Sequence, residues 1–204
     1  PTIPYTFSGG ELPGTVNVSP QVFSLYMTDI CSEFARMGFR NIVIYIGHGG
    51  TDNLDVLKST LVMLLRRNKY LSERIIISLL SCTQFSKTLC EAFKSLEDSD
   101  EKDFHAGWFE TSLMMYWKPE LVRDDMVVDE PEVVKMLRTD CDWYAISEGD
   151  KDDKFIIPKV RQREEVKIGV MGFPEKATRE LGEKISKEME EGLINYINKL
   201  NAKY

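Results

Sequence analysis

Two unbroken runs of β-branched and aliphatic residues, "NIVIYI" (Asn41–Ile46) and "RIIISLL" (Arg74–Leu80), constrain the fold of this chain more than any other feature. A strand that meets water on one face alternates apolar with polar residues, whereas a strand covered on both faces reads as a continuous apolar run. Between the two runs, Asn53 to Arg67 sets Leu54, Leu57, Leu61, Leu64 and Leu65 on one side of a helix. Before the first run, Val22, Phe23, Leu25, Tyr26, Ile30, Phe34 and Met37 recur at helical spacing, from Pro20 to Arg36 and the residue after it. Ser19 stands there as N-cap, Pro20 at the first helical position and Gly38 as the stop. Helix, strand, helix, strand in quick succession predicts βαβ units. The fold class that follows is an α/β sandwich with a mostly parallel central sheet flanked by helices. In such sheets ligands gather outside the carboxyl ends of the strands.

The later chain is less regular. Ser81 to Lys94 reads as helix, and the charged run "LEDSDEKD" (Leu96–Asp103) as solvated loop. A helix begins near Gly107, continues through Thr111 to Trp117 and is stopped at Lys118-Pro119. Asp124 to Asp153 shows no clear period and reads as loop with short elements. "EEVKIGVMG" (Glu164–Gly172) predicts a last strand entering a glycine turn. From Pro174 to Lys199, Leu181, Ile185, Met189, Leu193, Ile197 and Leu200 form one helical stripe, suited to a core or a subunit contact.

Composition excludes some functions. The 204 residues are 43% hydrophobic, enough for a sizeable core. A net charge of -7 argues against partners with anionic backbones or surfaces, so neither nucleic acid nor membrane is expected. The apolar runs are too short to span a bilayer. Cys31, Cys82, Cys90 and Cys141 form no C-x-x-C pair and read as reduced thiols; with no signal peptide, a cytoplasmic setting is expected. Asn17-Val18-Ser19 matches a glycosylation sequon by chance. The chain opens on Pro1 in a stretch, "PTIPYTFSGG", that resembles the middle of a domain. Residues 1–204 therefore read as a single domain, incomplete at its N-terminus.

Both histidines sit beside glycine: His48 in "IYIGHGGTDN" and His105 in "DFHAGWFETS". Imidazole is a ready ligand for transition metals and the natural acid or base near neutral pH; the plain alternative is a hydrogen-bonded turn residue. His48 falls at the carboxyl end of a predicted strand, with Asp52 four residues on. Glu110 follows His105 by five residues, a separation that does not share one helix face. The two converge only if His105 stands in the loop and Glu110 in the first helical turn, where the carboxylate also suits the helix dipole. Cys82, after the second run, is a weaker candidate nucleophile, since buried cysteines are usually inert. Gly9, Gly10 and Gly14 make no phosphate loop.

Four ordered motifs resemble those of the creatininase family: "LPGTVNVSP" (Leu12–Pro20), "GHGGTDN", "DFHAGWFETS" and "GVMGFPEKATRELG" (Gly169–Gly182). The resemblance implies an α/β sandwich and a metal-dependent hydrolase acting on an amide C–N bond of a small, mostly cyclic, compound. It implies divalent zinc, manganese or iron, two per active site, and a homo-oligomer, a hexamer in the family. His48 and Glu110 match metal-binding positions, and Asp52 stands as a substituted ligand or substrate contact. His105 matches the proposed proton shuttle, and Glu110 stands at or beside the metals. The Gly49 and Gly50 amides and Trp108, with Trp117, are candidate substrate contacts. Ring-opening C–C hydrolysis of a cyclic diketone, such as an oxidised inositol, is the enzymatic alternative; a catalytically inactive subunit is the other. Nothing here matches the family's earlier E-x-H segment, so a further N-terminal strand, even a separate polypeptide, is expected to deliver its ligands beside Asn41–Ile46. Trp108 replaces a frequent Glu, and two residues separate the glycines from Asn53 where the usual turn has none.

Overall fold

The computed structural model describes Leu12, residues 15–96, Asp103, and residues 105–123, 125–140, 143–146 and 160–203, with Thr51, Asp52, Leu96 and Ile146 described by backbone alone. The opening stretch with Gly9, Gly10 and Gly14, most of the acidic run before Asp103, Cys141 and residues 147–159 lie outside the described residues. Two compact units make up the chain. The first comprises Val16–Lys87 and Glu188–Tyr204; the second comprises Thr88–Lys187 with Leu12 and Thr15.

The first unit follows the predicted order. Helix α1 (Pro20–Arg36) starts on Ser19, whose hydroxyl accepts the Val22 N–H, and it stops at Gly38, at φ 96°. The hydroxyl of the apparent sequon is thus a helix cap. Strand β1 (Asn41–Ile46), helix α2 (Thr51–Arg67), the short helix α3 (Lys69–Ser72) and strand β2 (Ile76–Ser81) follow. β1 and β2 pair in parallel, with Asn41 opposite Ile76 and Ile46 opposite Ser81. Side chains alternate across the pair. Ile42, Ile44, Ile46, Ile77 and Leu79 face the core built with Phe23, Met27, Cys31, Leu57 and Leu61 of α1 and α2. The opposite face meets the end of α7 (Arg179–Lys203), where the Tyr196 hydroxyl bonds Ser78 Oγ and the Asn41 amide bonds Asn201. Helices therefore cover both faces, which is why both strands read as unbroken apolar runs.

One detail departs from expectation. The buried stripe of α1 is Phe23, Met27 and Cys31, while Val22, Leu25, Tyr26 and Met37 are exposed. Burial pushes the Cys31 thiol up to about 11, so it is an inert core residue.

The second unit holds α4 (Lys87–Leu96, shared at its first residue with the first unit), α5 (Trp108–Trp117), α6 (Pro131–Thr139), and an antiparallel pair, β3 (Tyr144–Ile146) with β4 (Val160–Gln162). The stretch read as loop with short elements contains α6, a nine-residue helix with Pro131 in its first turn and Leu137 fully buried. Two expectations need correction. Ser81 to Lys94 is not one helix: Ser81 ends β2, and a 3₁₀ turn over Cys82–Gln84 precedes α4. Glu164–Gly172 is not a strand; β4 ends at Gln162, and the Lys167, Ile168 and Gly169 N–H groups turn inward to Asp129. Leu137, Trp143, Val166 and Met171 form the core of this unit.

Two residues of α1 give a direct test of the observed register. Met27→Ala, at 1% exposure, is expected to cost about 2–5 kcal/mol in urea unfolding. Leu25→Ala, at 66% exposure, should stay within about 0.5 kcal/mol.

Candidate functional site

In the first unit, His48 occupies the loop between the carboxyl end of β1 and the start of α2. Gly50 is the N-cap of α2 and makes no side-chain capping bond. The buried Asn53 amide donates back to the His48 carbonyl at 3.3 Å, tying the loop to the first turn of the helix. The His48 ring lies against Gly50: a Cβ there would stand 2.5 Å from Nε2. Gly49 has no such constraint, since its added Cβ meets nothing within 4 Å. Asp52 lies in the first turn of α2, and its side chain lies outside the described residues.

In the second unit, the segment "HAGWFETS" is organised residue by residue. His105 forms an isolated antiparallel bridge with Met171, N–H to carbonyl in both directions at 3.1 and 2.8 Å. Its ring packs edge-to-face with that of Trp143, centroids 4.9 Å apart at 86°. Ala106 adopts φ 52°, a left-handed conformation that costs an L-residue about 1–2 kcal/mol. That turn points the Ala106 N–H at Glu110 Oε2, 2.6 Å away. The Thr111 hydroxyl donates to the Ala106 carbonyl, and Ser112 Oγ accepts the Thr178 N–H at 3.0 Å. Helix α5 starts at Trp108, so His105 stands before it and Glu110 in its first turn, as the five-residue separation required. His105 Nδ1 and Glu110 Oε2 are 3.9 Å apart, on side chains 41% and 42% exposed. Trp108 is half-buried at the helix start; Trp117, at the other end, is 48% exposed and donates to Ser186.

Asp103 is the residue that sequence reasoning missed. Read as the end of a solvated acidic run, it is instead 2% exposed. It accepts the Phe173 N–H at 2.6 Å, the Trp108 N–H at 3.1 Å and the Phe109 N–H at 3.5 Å. The only sequence signal was its place two residues before His105 and four before a glycine. Burial raises its carboxyl above the ordinary 3.8, against the lowering effect of those three N–H bonds and of the Lys176 charge.

These features stand beside a clear kinship. The chain belongs to the creatininase family, whose profile (Creatininase: creatinine amidohydrolase) matches residues 1–197. A creatinine amidohydrolase of Pseudomonas putida is 30% identical over 131 residues, which take in 60% of this chain and 48% of that enzyme. The match thus spans about half of that relative. A Trp-to-Phe mutant of creatininase superposes with TM-score 0.67 at 25% identity, covering 96% of this chain and 72% of the other. A creatininase designated Mn gives TM-score 0.66 at 24% identity, covering 97% and 72%. The α/β creatininase fold is therefore that of this chain. Among the described residues no helix is long and apolar enough to cross a membrane.

Two expectations follow. Gly50→Ala should displace the His48 ring, moving its imidazole NMR resonances and costing about 1–3 kcal/mol, while Gly49→Ala leaves both nearly unchanged. For Asp103, a folded pKa above the unfolded one means that its contribution is complete below the unfolded value and is lost as pH rises through the raised one. The stability of the wild type relative to Asp103→Asn should therefore fall with rising pH over that window, and level off above it, in urea titrations at stepped pH.

Proposed function

We propose that the full-length protein is a metal-dependent hydrolase that cleaves an amide C–N bond in a small, cyclic compound. The observation that carries this reading is the His105–Glu110 pair: an imidazole and a carboxylate 3.9 Å apart, both reachable by solvent, in a chain of the creatininase family.

The donor types suit a divalent ion. His48 offers an imidazole, and Glu110 and Asp52 offer carboxylates, the mixed nitrogen and oxygen ligands that zinc, manganese and iron accept. The absence of a side chain at Gly50 leaves the His48 ring its place. Among the described residues no three ligating side chains converge, so this reading draws the remaining ligands from outside them. When bound, such an ion supplies Lewis acidity toward a carbonyl and a water nucleophile.

The chain's own residues do the rest. His105 takes a proton from the attacking water and hands it on to the departing nitrogen, with the Glu110 carboxylate 3.9 Å from its Nδ1 to orient the ring. The Trp143 ring and the Met171 bridge fix the ring and backbone of His105, so that the proton is presented from a defined place. The Gly49 and Gly50 amides, at the positive end of α2, meet the developing oxyanion. Trp108 offers a flat wall to a ring.

The test is a substrate screen on metal-loaded, full-length protein, with creatinine and related cyclic amides against cyclic diketones. His48→Ala should lose its divalent ion by elemental analysis while its circular dichroism persists; normal metal content would remove His48 from the ligand set. His105→Ala should keep the ion and lose about two to four powers of ten in turnover, and an unchanged rate would end its role.

A further inference from the structure

The proposed chemistry leaves one buried carboxylate unused. We infer that Asp103 is a positioning residue for the site: it fixes where the His105 imidazole and the Glu110 carboxylate stand without touching either. Its kinetic consequence rests on the hydrolase reading, while its geometry stands apart from it.

The register of the His105–Met171 bridge is the first support. In an antiparallel pair, the residue two before His105 lies opposite the residue two after Met171. Those residues are Asp103 and Phe173, and the Asp103 side chain accepts the Phe173 N–H at 2.6 Å. The carboxylate thus takes the place of the next rung and holds His105 from one side. The same carboxylate takes the Trp108 and Phe109 N–H groups, in the first turn of the helix that carries Glu110. One side chain therefore ties the segment bearing His105 to the helix bearing Glu110. The left-handed Ala106 closes the circuit by donating to Glu110.

The surroundings are shaped to this carboxylate. A Cβ added at Gly107 would lie 2.0 Å from Asp103 Oδ1, and one added at Gly172 would lie 2.1 Å from the same atom. Gly172 sits at φ 154°, and the Arg138 guanidinium holds its carbonyl at 3.1 Å. Both glycines lie against the same oxygen, one of them fastened by an arginine, and a side chain at either would collide with the acid group.

A plug that merely stabilises the unit and a residue that positions the pair differ in what they change. The experiment compares full-length, metal-loaded wild type, Asp103→Ala and Asp103→Asn, using a cyclic amide that the wild type hydrolyses, well below each melting temperature. Asp103→Ala should lose about a hundredfold in kcat, as for a misplacement near 1 Å, with KM within about threefold. Asp103→Asn keeps an oxygen for Phe173 and Trp108 but faces Phe109 with an amide donor; its kcat should recover to about three- to tenfold below wild type. Hydrogen exchange at the Ala106 and Phe173 amides should quicken in Asp103→Ala, and the His105 ring resonances should shift. Wild-type kcat in folded Asp103→Ala, or a change confined to KM, overturns the inference. So do unchanged Ala106 exchange and His105 resonances. Should Asp103→Ala fail to fold, Asp103→Asn decides: a kcat lowered about three- to tenfold at unaltered KM supports positioning, and an unaltered kcat overturns it. If the wild type hydrolyses no amide, the hydrolase reading fails by itself, and the exchange and resonance data still decide the geometry.

Discussion

Every buried backbone N–H must find an acceptor, and in the second unit carboxylates supply what a strand ladder would otherwise supply. From Lys167 to Phe173 the chain is pinned at three places. Asp129, 7% exposed, takes three consecutive N–H groups; His105 takes that of Met171; and Asp103 takes that of Phe173. Two of these three attachments end on carboxyl groups and one on a backbone carbonyl, and together they hold a segment that has almost no regular structure.

The two histidines are placed by opposite means. His48 rests on regular structure: the end of a buried strand, a short turn and the head of a seventeen-residue helix. Its loop is tightened by Asn53 and shaped by Gly50. His105 rests on almost none, only a single bridge, one left-handed residue and a buried acid. In the first device the flanking strand and helix persist whatever happens to the loop, although Gly50 itself must stay free of a side chain. The second has no such support, because each contact depends on the others.

The first unit was legible because its strands are covered on both faces and its helix α1 carries explicit signals in Ser19, Pro20 and Gly38. What periodicity could not tell was which side of α1 is buried. Apolar residues populate much of its circumference, and the buried Phe23, Met27 and Cys31 stand beside the exposed Val22, Leu25 and Tyr26. In the second unit, Val166, Ile168 and Val170 alternate as a strand would, yet the N–H groups of Lys167, Ile168 and Gly169 go to the side chain of Asp129, 38 to 40 residues away, and nothing local announces that. Asp103 was hidden by its acidic neighbours, since composition averages over a run and burial acts on one residue. The convergence of His105 and Glu110 was legible, because only a helix starting between them reconciles a five-residue separation with contact.

The bond from Phe173 to Asp103 joins residues 70 apart in the chain. Closing so long a loop forfeits conformational entropy before any contact rewards it, and contacts of this range form late in folding. Glu110 belongs to a helix held by bonds within a few residues, whereas the bridge that orients His105 reaches to Met171 and the acid beside it to Phe173. The reactive pair is therefore close in sequence but far from self-sufficient: its geometry depends on a segment more than sixty residues further along the chain.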